Sequence, residues 1–250
     1  MLINYRFSPR DLCVLCVYLG SAMNMFILGG RGKIGSLVAD VARERRHNVT
    51  VLDVPENAGA RALTRDALKS VDVVLDFTSP DAVIENIAAC VQGKANMVVG
   101  TTGWYGEIPR IKPLVEQSGI GFLYAANFSI GVNLFFDIVR AAAPAVRYSY
   151  DGRILEKHHV HKKDAPSGTA MAIRNLIRDA AHAELPIESV REGEVVGLHQ
   201  VTFESAGDTI TLTHDAKSRR GFAEGAVRAA EWLPGKTGFY DFKDIFRELR

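Results

Sequence analysis

Met25-Phe26-Ile27-Leu28-Gly29-Gly30-Arg31-Gly32-Lys33-Ile34-Gly35 decides how this chain folds. Four apolar residues in a row read as a buried strand, and the glycines that follow at once mark a tight turn. Gly30-x-Gly32-x-x-Gly35 has the spacing of a dinucleotide-binding turn. Ile34, Leu37, Val38 and Val41 then recur at helical spacing. A second apolar segment, residues 48–52, ends in Asp53. Strand, glycine turn, helix, strand and terminal acid in that order carry more weight than the glycine spacing alone. Glycine permits the turn and lets backbone approach a pyrophosphate, which the first N–H groups of the helix then face. Asp53 can accept hydrogen bonds from adenosine ribose hydroxyls, or serve only as a turn residue ahead of Pro55.

Outward from this unit the alternation continues. Strands are expected over 71–77, 97–99 and 120–124, with helices over 80–91 and 108–117. Such an order calls for a parallel sheet covered on both faces, with ligands beyond the carboxyl ends of its strands. Three of those ends carry polar or glycine-rich turns: Asp76-Phe77-Thr78, Gly100-Thr101-Thr102-Gly103 and Ala126-Asn127-Phe128-Ser129. Together they suggest a lined cleft. A long helix over 130–146 can join two domains. Beyond it the pattern changes to a strand over 148–161, a helix over 167–182 and strands over 189–194, 197–205 and 209–214. A helix over 221–233 can return to the first domain. The expected fold class is α/β: an N-terminal Rossmann-type doubly wound parallel sheet plus a C-terminal α+β domain with a mixed or antiparallel sheet. Residues 23–128 with 220–250 are expected to form the dinucleotide-binding domain, and 129–219 the substrate-binding and oligomerisation domain.

Composition narrows the function classes. Of 250 residues, 47% are hydrophobic and 24% charged, with a net charge of +1. That balance gives no electrostatic footprint for nucleic acid or an anionic membrane. Cys13, Cys16 and Cys90 make no disulfide framework, which fits a reducing, cytoplasmic setting. Cys13-x-x-Cys16 lacks two further zinc ligands nearby and reads as incidental. The apolar run at residues 12–19 is too short to span a bilayer. Residues 1–22 are expected to be an extension outside the fold.

The chemistry is concentrated in Glu156-Lys157-His158-His159-Val160-His161-Lys162-Lys163-Asp164-Ala165-Pro166-Ser167-Gly168-Thr169-Ala170. If the preceding strand runs on through the histidines, its period of two brings His158 and Lys162 to one face. Pro166 and Ser167 open the next helix, with Ser167 as N-cap. The N–H groups of Gly168, Thr169 and Ala170 then offer a site for a carboxylate. The segment reads equally as a solvated basic loop on a sheet edge. Three histidines also allow a metal site, but the neighbouring lysines would repel a cation, and none is expected.

From about Phe26 to Lys243 the chain resembles the 4-hydroxy-tetrahydrodipicolinate reductase family, which serves the diaminopimelate route to lysine. The most specific element is His158-His159-x-His161-Lys162-x-Asp164-Ala165-Pro166-Ser167-Gly168-Thr169-Ala170. Supporting it are Gly29-x-x-Gly32-Lys33-Ile34-Gly35, Gly100-Thr101-Thr102-Gly103, Ala126-Asn127-Phe128-Ser129-x-Gly131-Val132-Asn133, Arg191-x-Gly193, Gly197-x-His199 and His214-x-Ala216-x-Ser218-Arg219. The resemblance implies His158 as acid/base residue and Lys162 as proton donor. It implies that His159, Ser167, Gly168 and Thr169 bind a cyclic dicarboxylate substrate. Gly29, Gly30, Arg31, Gly32, Lys33, Ile34, Asp53, Gly100, Thr101, Thr102, Ala126, Asn127 and Phe128 would hold NADH or NADPH. A homotetramer joined through the second-domain sheets is implied as well. Two departures bear on cofactor choice: Lys33 stands where the family often has Arg, and Val54 where it often has a basic residue after the strand-end acid. The segment between Asp53 and Val71 is also shorter than usual. Two other readings remain at this stage. Another two-domain dehydrogenase of an amino or sugar acid would not need His158, Lys162 and the Ser-Gly-Thr turn together. A non-catalytic nucleotide sensor would need no proton donor in the cleft.

Overall fold

The structure is a computed structural model and describes residues 21–249. The expected extension at 1–22, with Cys13 and Cys16, therefore falls outside the described residues except for its last two positions. Met23 is buried, and its N–H donates to His47 Nδ1 at 3.2 Å.

The first sheet is built from β1 (Asn24–Leu28), β2 (Asn48–Leu52), β3 (Val73–Asp76), β4 (Asn96–Val99), β5 (Gly121–Tyr124) and β10 (Gly238–Asp241). Every pairing is parallel, in the order β10-β5-β4-β3-β1-β2. The uninterrupted apolar run of β1 is explained by burial on both faces. Met25 and Ile27 pack with Val38 and Val41 of α1 (Lys33–Glu44) and with Ala226 and Ala230 of a helix at 220–232. Leu28 packs on the opposite face with Val74, Met97, Val83 and Ile87. Val83 and Ile87 belong to α4 (Pro80–Gly93), which follows two short helices, α2 (Val54–Asn57) and α3 (Arg65–Leu68). Helix α5 (Ile108–Ser118) joins the same face through Ile111 and Val115. Between β2 and β3 the strand order reverses around β1, which opens a crevice at the carboxyl ends.

After α6 (Ile130–Ala142) the chain enters the second sheet, β6 (Asp151–His158), β7 (Ile187–Arg191), β8 (Gly197–Glu204) and β9 (Thr209–Ala216). Its order is β7-β6-β8-β9, parallel for β6 with β7 and antiparallel elsewhere, the mixed sheet expected. Helices α6 and α7 (Gly168–Ala181) cover one face, setting Phe135, Val139, Ile173 and Ile177 against Ile154, Val201 and Phe203. The chain then returns through α8 (Arg220–Trp232), β10 and α9 (Phe242–Ile245).

The observed elements differ from the expected ones in three places. The strand anticipated over 148–161 is shorter: residues Ala143–Tyr148 are a 3-10 helix, and β6 ends at His158. Its regular ladder partners end there too, with His158 opposite Arg191 and Lys157 opposite Leu198, and beyond it the Val160 N–H reaches only the Gly193 carbonyl, at 3.1 Å. The chain turns instead. Val160 is exposed, and the Lys162 N–H donates to the His159 carbonyl at 3.1 Å. The two short helices between Asp53 and Val71 were not anticipated, because four-residue elements show no periodicity. Strand β10 was not anticipated either, since Gly238-Phe239-Tyr240-Asp241 is not an apolar run; it pairs in parallel with β5 and covers that edge.

Gly225 of α8 is where the returning helix meets the cleft. A Cβ there would collide with the carbonyl oxygen of Phe128. Gly225→Ala is expected to cost about 2 kcal/mol or more by overpacking. In a thermal melt this lowers Tm by roughly 5 °C. A Tm within about 1 °C of the parent would show that the helix shifts freely.

Candidate functional site

A cavity of about 790 Å³ lies between the two sheets. His158, His159, Lys162, Ser167, Gly168 and Thr169 line one side of it. Ile34, Gly100, Thr102, Ala126, Asn127 and Phe128 line the other. His158 and Lys162 thus line the same cavity, but through the turn after β6 rather than along one strand face.

The histidine is positioned from below. Two residues earlier on the same strand, Glu156 is fully buried, and one carboxylate oxygen bonds His158 Nδ1. The other oxygen accepts Arg191 Nη2 at 2.9 Å and the Ser167 N–H at 3.3 Å. Burial opposes the charge on Glu156, but hydrogen bonds from Arg191, Ser189 and His158 outweigh it and hold the carboxyl below its usual range. Burial pushes the His158 imidazole down, against the upward pull of Glu156. A neutral His158 therefore donates from Nδ1 and keeps the lone pair of Nε2. Gly197 leaves space beside that nitrogen, since a Cβ there would lie 3.1 Å from it. His199, 5.2 Å from His158 between ring centres, is pushed down to about 4, first by burial and then by His158.

Ser167 caps α7 as expected, its hydroxyl accepting the Ala170 N–H at 3.2 Å. The same hydroxyl meets His199 Nε2 at 3.1 Å, so it is committed within the protein. Of the three N–H groups anticipated for an anion, Ala170 is thereby taken, leaving Gly168 and Thr169. Lys162 Nζ is held by both oxygens of Asp164, at 2.7 and 2.8 Å. That contact in turn holds the Asp164 carboxyl low. Three buried imidazole nitrogens around the cavity, Nδ1 of His159, His199 and His214, have no partner in the protein.

The glycine turn fits a dinucleotide. Gly29 has φ +70°, and a Cβ on it would strike the Phe77 carbonyl. A Cβ on Gly35 would strike the Gly29 carbonyl, so the helix can sit tight on the turn only with glycine there. Helix α1 starts at Gly32 with no side chain capping it, which leaves its first N–H groups open to a pyrophosphate. Gly29, Gly32 and Asp53 border a second cavity of about 370 Å³ that shares Phe77 with the larger one. Asp53 is committed in part: it caps α2, accepting Val54 N–H at 2.9 Å and Arg31 N–H at 3.0 Å. Gly30, Arg31, Lys33 and Thr101 line neither cavity. Thr101 is buried and donates its hydroxyl to Asp76 at 2.6 Å. Asp76 also accepts Thr78 N–H and Oγ1 and Asn86 Nδ2, and so ties two cleft turns to α4.

Glu156, Asp164, Arg191 and His199 were not assigned roles from sequence. Glu156 had a signal, since the strand period places it on the face of His158. Arg191 and His199 stood out only as parts of the resemblance motifs, and the contact of Arg191 with Glu156 could not be read locally because it comes from the neighbouring strand β7. Among the described residues no group of three His, Cys, Asp or Glu is placed to hold a metal ion.

Comparison with known proteins gives a consistent picture. Residues 23–128 match the model of the dihydrodipicolinate reductase N-terminus, and 131–246 that of its C-terminus. A 4-hydroxy-tetrahydrodipicolinate reductase of Christiangramia forsetii is 37% identical over 243 residues, covering 91% of this chain and 99% of that protein. One from Neisseria meningitidis is 35% identical over 265 residues, covering 89% and 97%. A dipicolinate-bound dihydrodipicolinate reductase from Paenisporosarcina sp. TG-14 superposes with a TM-score of 0.74 at 27% identity, covering 90% of this chain and 100% of that one. With both family segments, the matched lengths and the fold in agreement, the chain belongs to the dihydrodipicolinate reductase family.

Proposed function

We propose that this protein reduces 4-hydroxy-tetrahydrodipicolinate to tetrahydrodipicolinate with NADH or NADPH, in lysine biosynthesis through diaminopimelate. The observation that carries the reading is that one cavity has Ile34, Gly100, Thr102 and the 126–128 turn on one wall and His158, Lys162 and the start of α7 on the other. In this reading residues 23–128 with 220–250 hold the dinucleotide, and 129–219 hold the substrate. The protein works in the cytoplasm as a homotetramer. The exposed side chains of Thr209, Ile210, Thr211 and Thr213 on edge strand β9 are consistent with assembly through the second sheet.

The bound cofactor supplies the hydride. The protein's own residues bind, orient and protonate. Gly168 and Thr169 receive one substrate carboxylate at the start of α7, while Ser167 fixes that turn. His159 contacts the substrate, supported by Arg219 Nη2 at 3.4 Å from its Nε2. Lys162 delivers a proton where carbanion character builds up, and His158 acts as acid/base beside it. Asp164 holds the ammonium in place and balances its charge until a dicarboxylate arrives. The glycine turn from Gly29 to Ile34, with Asp53, the Gly100–Thr102 turn and Ala126–Phe128, takes the cofactor. Asp53 and the uncharged Val54 favour NADH, while Arg31 and Lys33 favour a 2′-phosphate, so both cofactors serve with a modest preference for NADH.

Consumption of NADH and NADPH with freshly generated 4-hydroxy-tetrahydrodipicolinate tests the activity; no oxidation of either would reject it. Lys162→Ala is expected to cut turnover roughly a hundred-fold, the scale of a positioned general acid. Turnover within a few-fold of the parent would remove Lys162 from that role. Thr169→Val is expected to raise KM about tenfold with kcat retained, because a hydrogen bond to a charged group is lost but no proton carrier. An unchanged KM would place the carboxylate elsewhere. Glu156→Gln removes the charge that pulls the His158 pKa upward. The His158 limb of the pH–rate profile is therefore expected to move toward lower pH. An unmoved limb would leave Glu156 a packing role alone.

A further inference from the structure

The glycine turn carries an arginine whose side chain is not free. Arg31 Nη1 and Nη2 donate to the two oxygens of Glu56 at 3.1 and 2.7 Å, a bidentate pair. Glu56 is itself fixed. Its carboxylate accepts the Asp53 N–H at 3.0 Å, closing a capping box at the start of α2. The Asp53 carboxylate in turn accepts the Arg31 N–H. Two acids and one guanidinium therefore interlock where the acid that ends the second strand meets the glycine turn. The Arg31–Glu56 contact holds the Glu56 carboxyl down to about 2, so it is charged throughout the working range. The other nearby guanidinium, Arg61, is directed at the carbonyls of Pro55 and Glu56 instead.

In folds of this class the strand-end acid selects the ribose hydroxyl of NAD, and a nearby arginine accommodates the 2′-phosphate of NADP. A guanidinium fork fits carboxylate and phosphate alike, so the two compete for it. We infer that Glu56 is a specificity-determining residue that disfavours NADPH by holding the Arg31 guanidinium away from the 2′-phosphate. The inference rests on the dinucleotide-binding reading of the glycine turn given above. It locates the preference for NADH in an acid three residues beyond Asp53, on α2, rather than in Asp53 alone.

Glu56→Gln is the discriminating variant, because glutamine at this position still closes the capping box while losing the charge. Binding is measured without substrate, by titrating NADH and NADPH into the full chain and following nicotinamide fluorescence. The NADPH Kd is expected to fall about tenfold, the scale of a hydrogen bond gained to a charged group, while the NADH Kd stays within about threefold. Adding Arg31→Ala to Glu56→Gln is expected to abolish that gain. A ratio of NADPH to NADH affinity unchanged within about twofold in Glu56→Gln would overturn the proposal. So would a gain that persists in the double variant, since simple repulsion by Glu56 would then explain it. A parent protein that binds neither dinucleotide would overturn the cofactor reading itself, and this proposal with it.

Discussion

The active cleft depends on one buried carboxylate. Glu156 sits beneath His158 with no exposure to solvent, and a bare charge there would be unsustainable. It is stabilised by partners from three elements: His158 on its own strand, Arg191 on β7 and the Ser167 N–H at the head of α7. Satisfying one charge thus aligns the imidazole, the start of α7 and a neighbouring strand. Arg191 extends the lock by donating also to the Asp164 carbonyl at 2.6 Å, which steadies the loop that carries Lys162. The network fixes geometry more than it adds stability, because buried ion pairs seldom return their desolvation cost in full.

The opposite wall is organised by a second buried carboxylate. Asp76 is satisfied by hydroxyl, amide and backbone donors from Thr78, Thr101 and Asn86. Asn86 passes the chain of hydrogen bonds on to Asn57 at the end of α2. The turns after β3 and β4 and the helix beyond Asp53 are therefore held to one another. Thr101 contributes by bracing the turn, while its neighbours Gly100 and Thr102 face the cavity. Gly100 is required there, since a Cβ would meet the Phe77 ring.

The charge pattern of the cleft suits the proposed substrate. Burial keeps His158 and His199 below their ordinary pKa, so the cavity is not uniformly cationic. Its positive charge comes from Lys162 and Lys163, from Arg219, and from the dipole of α7. Asp164 offsets part of it. An anionic ring with two carboxylates can displace that compensation.

Much of this was legible in the chain itself. The apolar run at Met25–Leu28, the glycine spacing and the strand–helix alternation follow from local sterics and burial, so the parallel sheet and its crevice were readable without coordinates. Ser167 as N-cap was readable too, because capping is a local hydrogen bond. The convergence of His158 and Lys162 was anticipated for a reason that failed: where a strand ends is set by its neighbours, and β7 and β8 stop pairing at His158 and Lys157. Likewise the glycine spacing and the strand end single out Arg31 and Asp53 as candidates, but not that Glu56 and Arg31 pair across 25 positions. Arg191 reaching Glu156 and Gly225 touching Phe128 belong to the same class. These contacts join residues far apart in the chain, and only the packing of finished elements against one another brings them together.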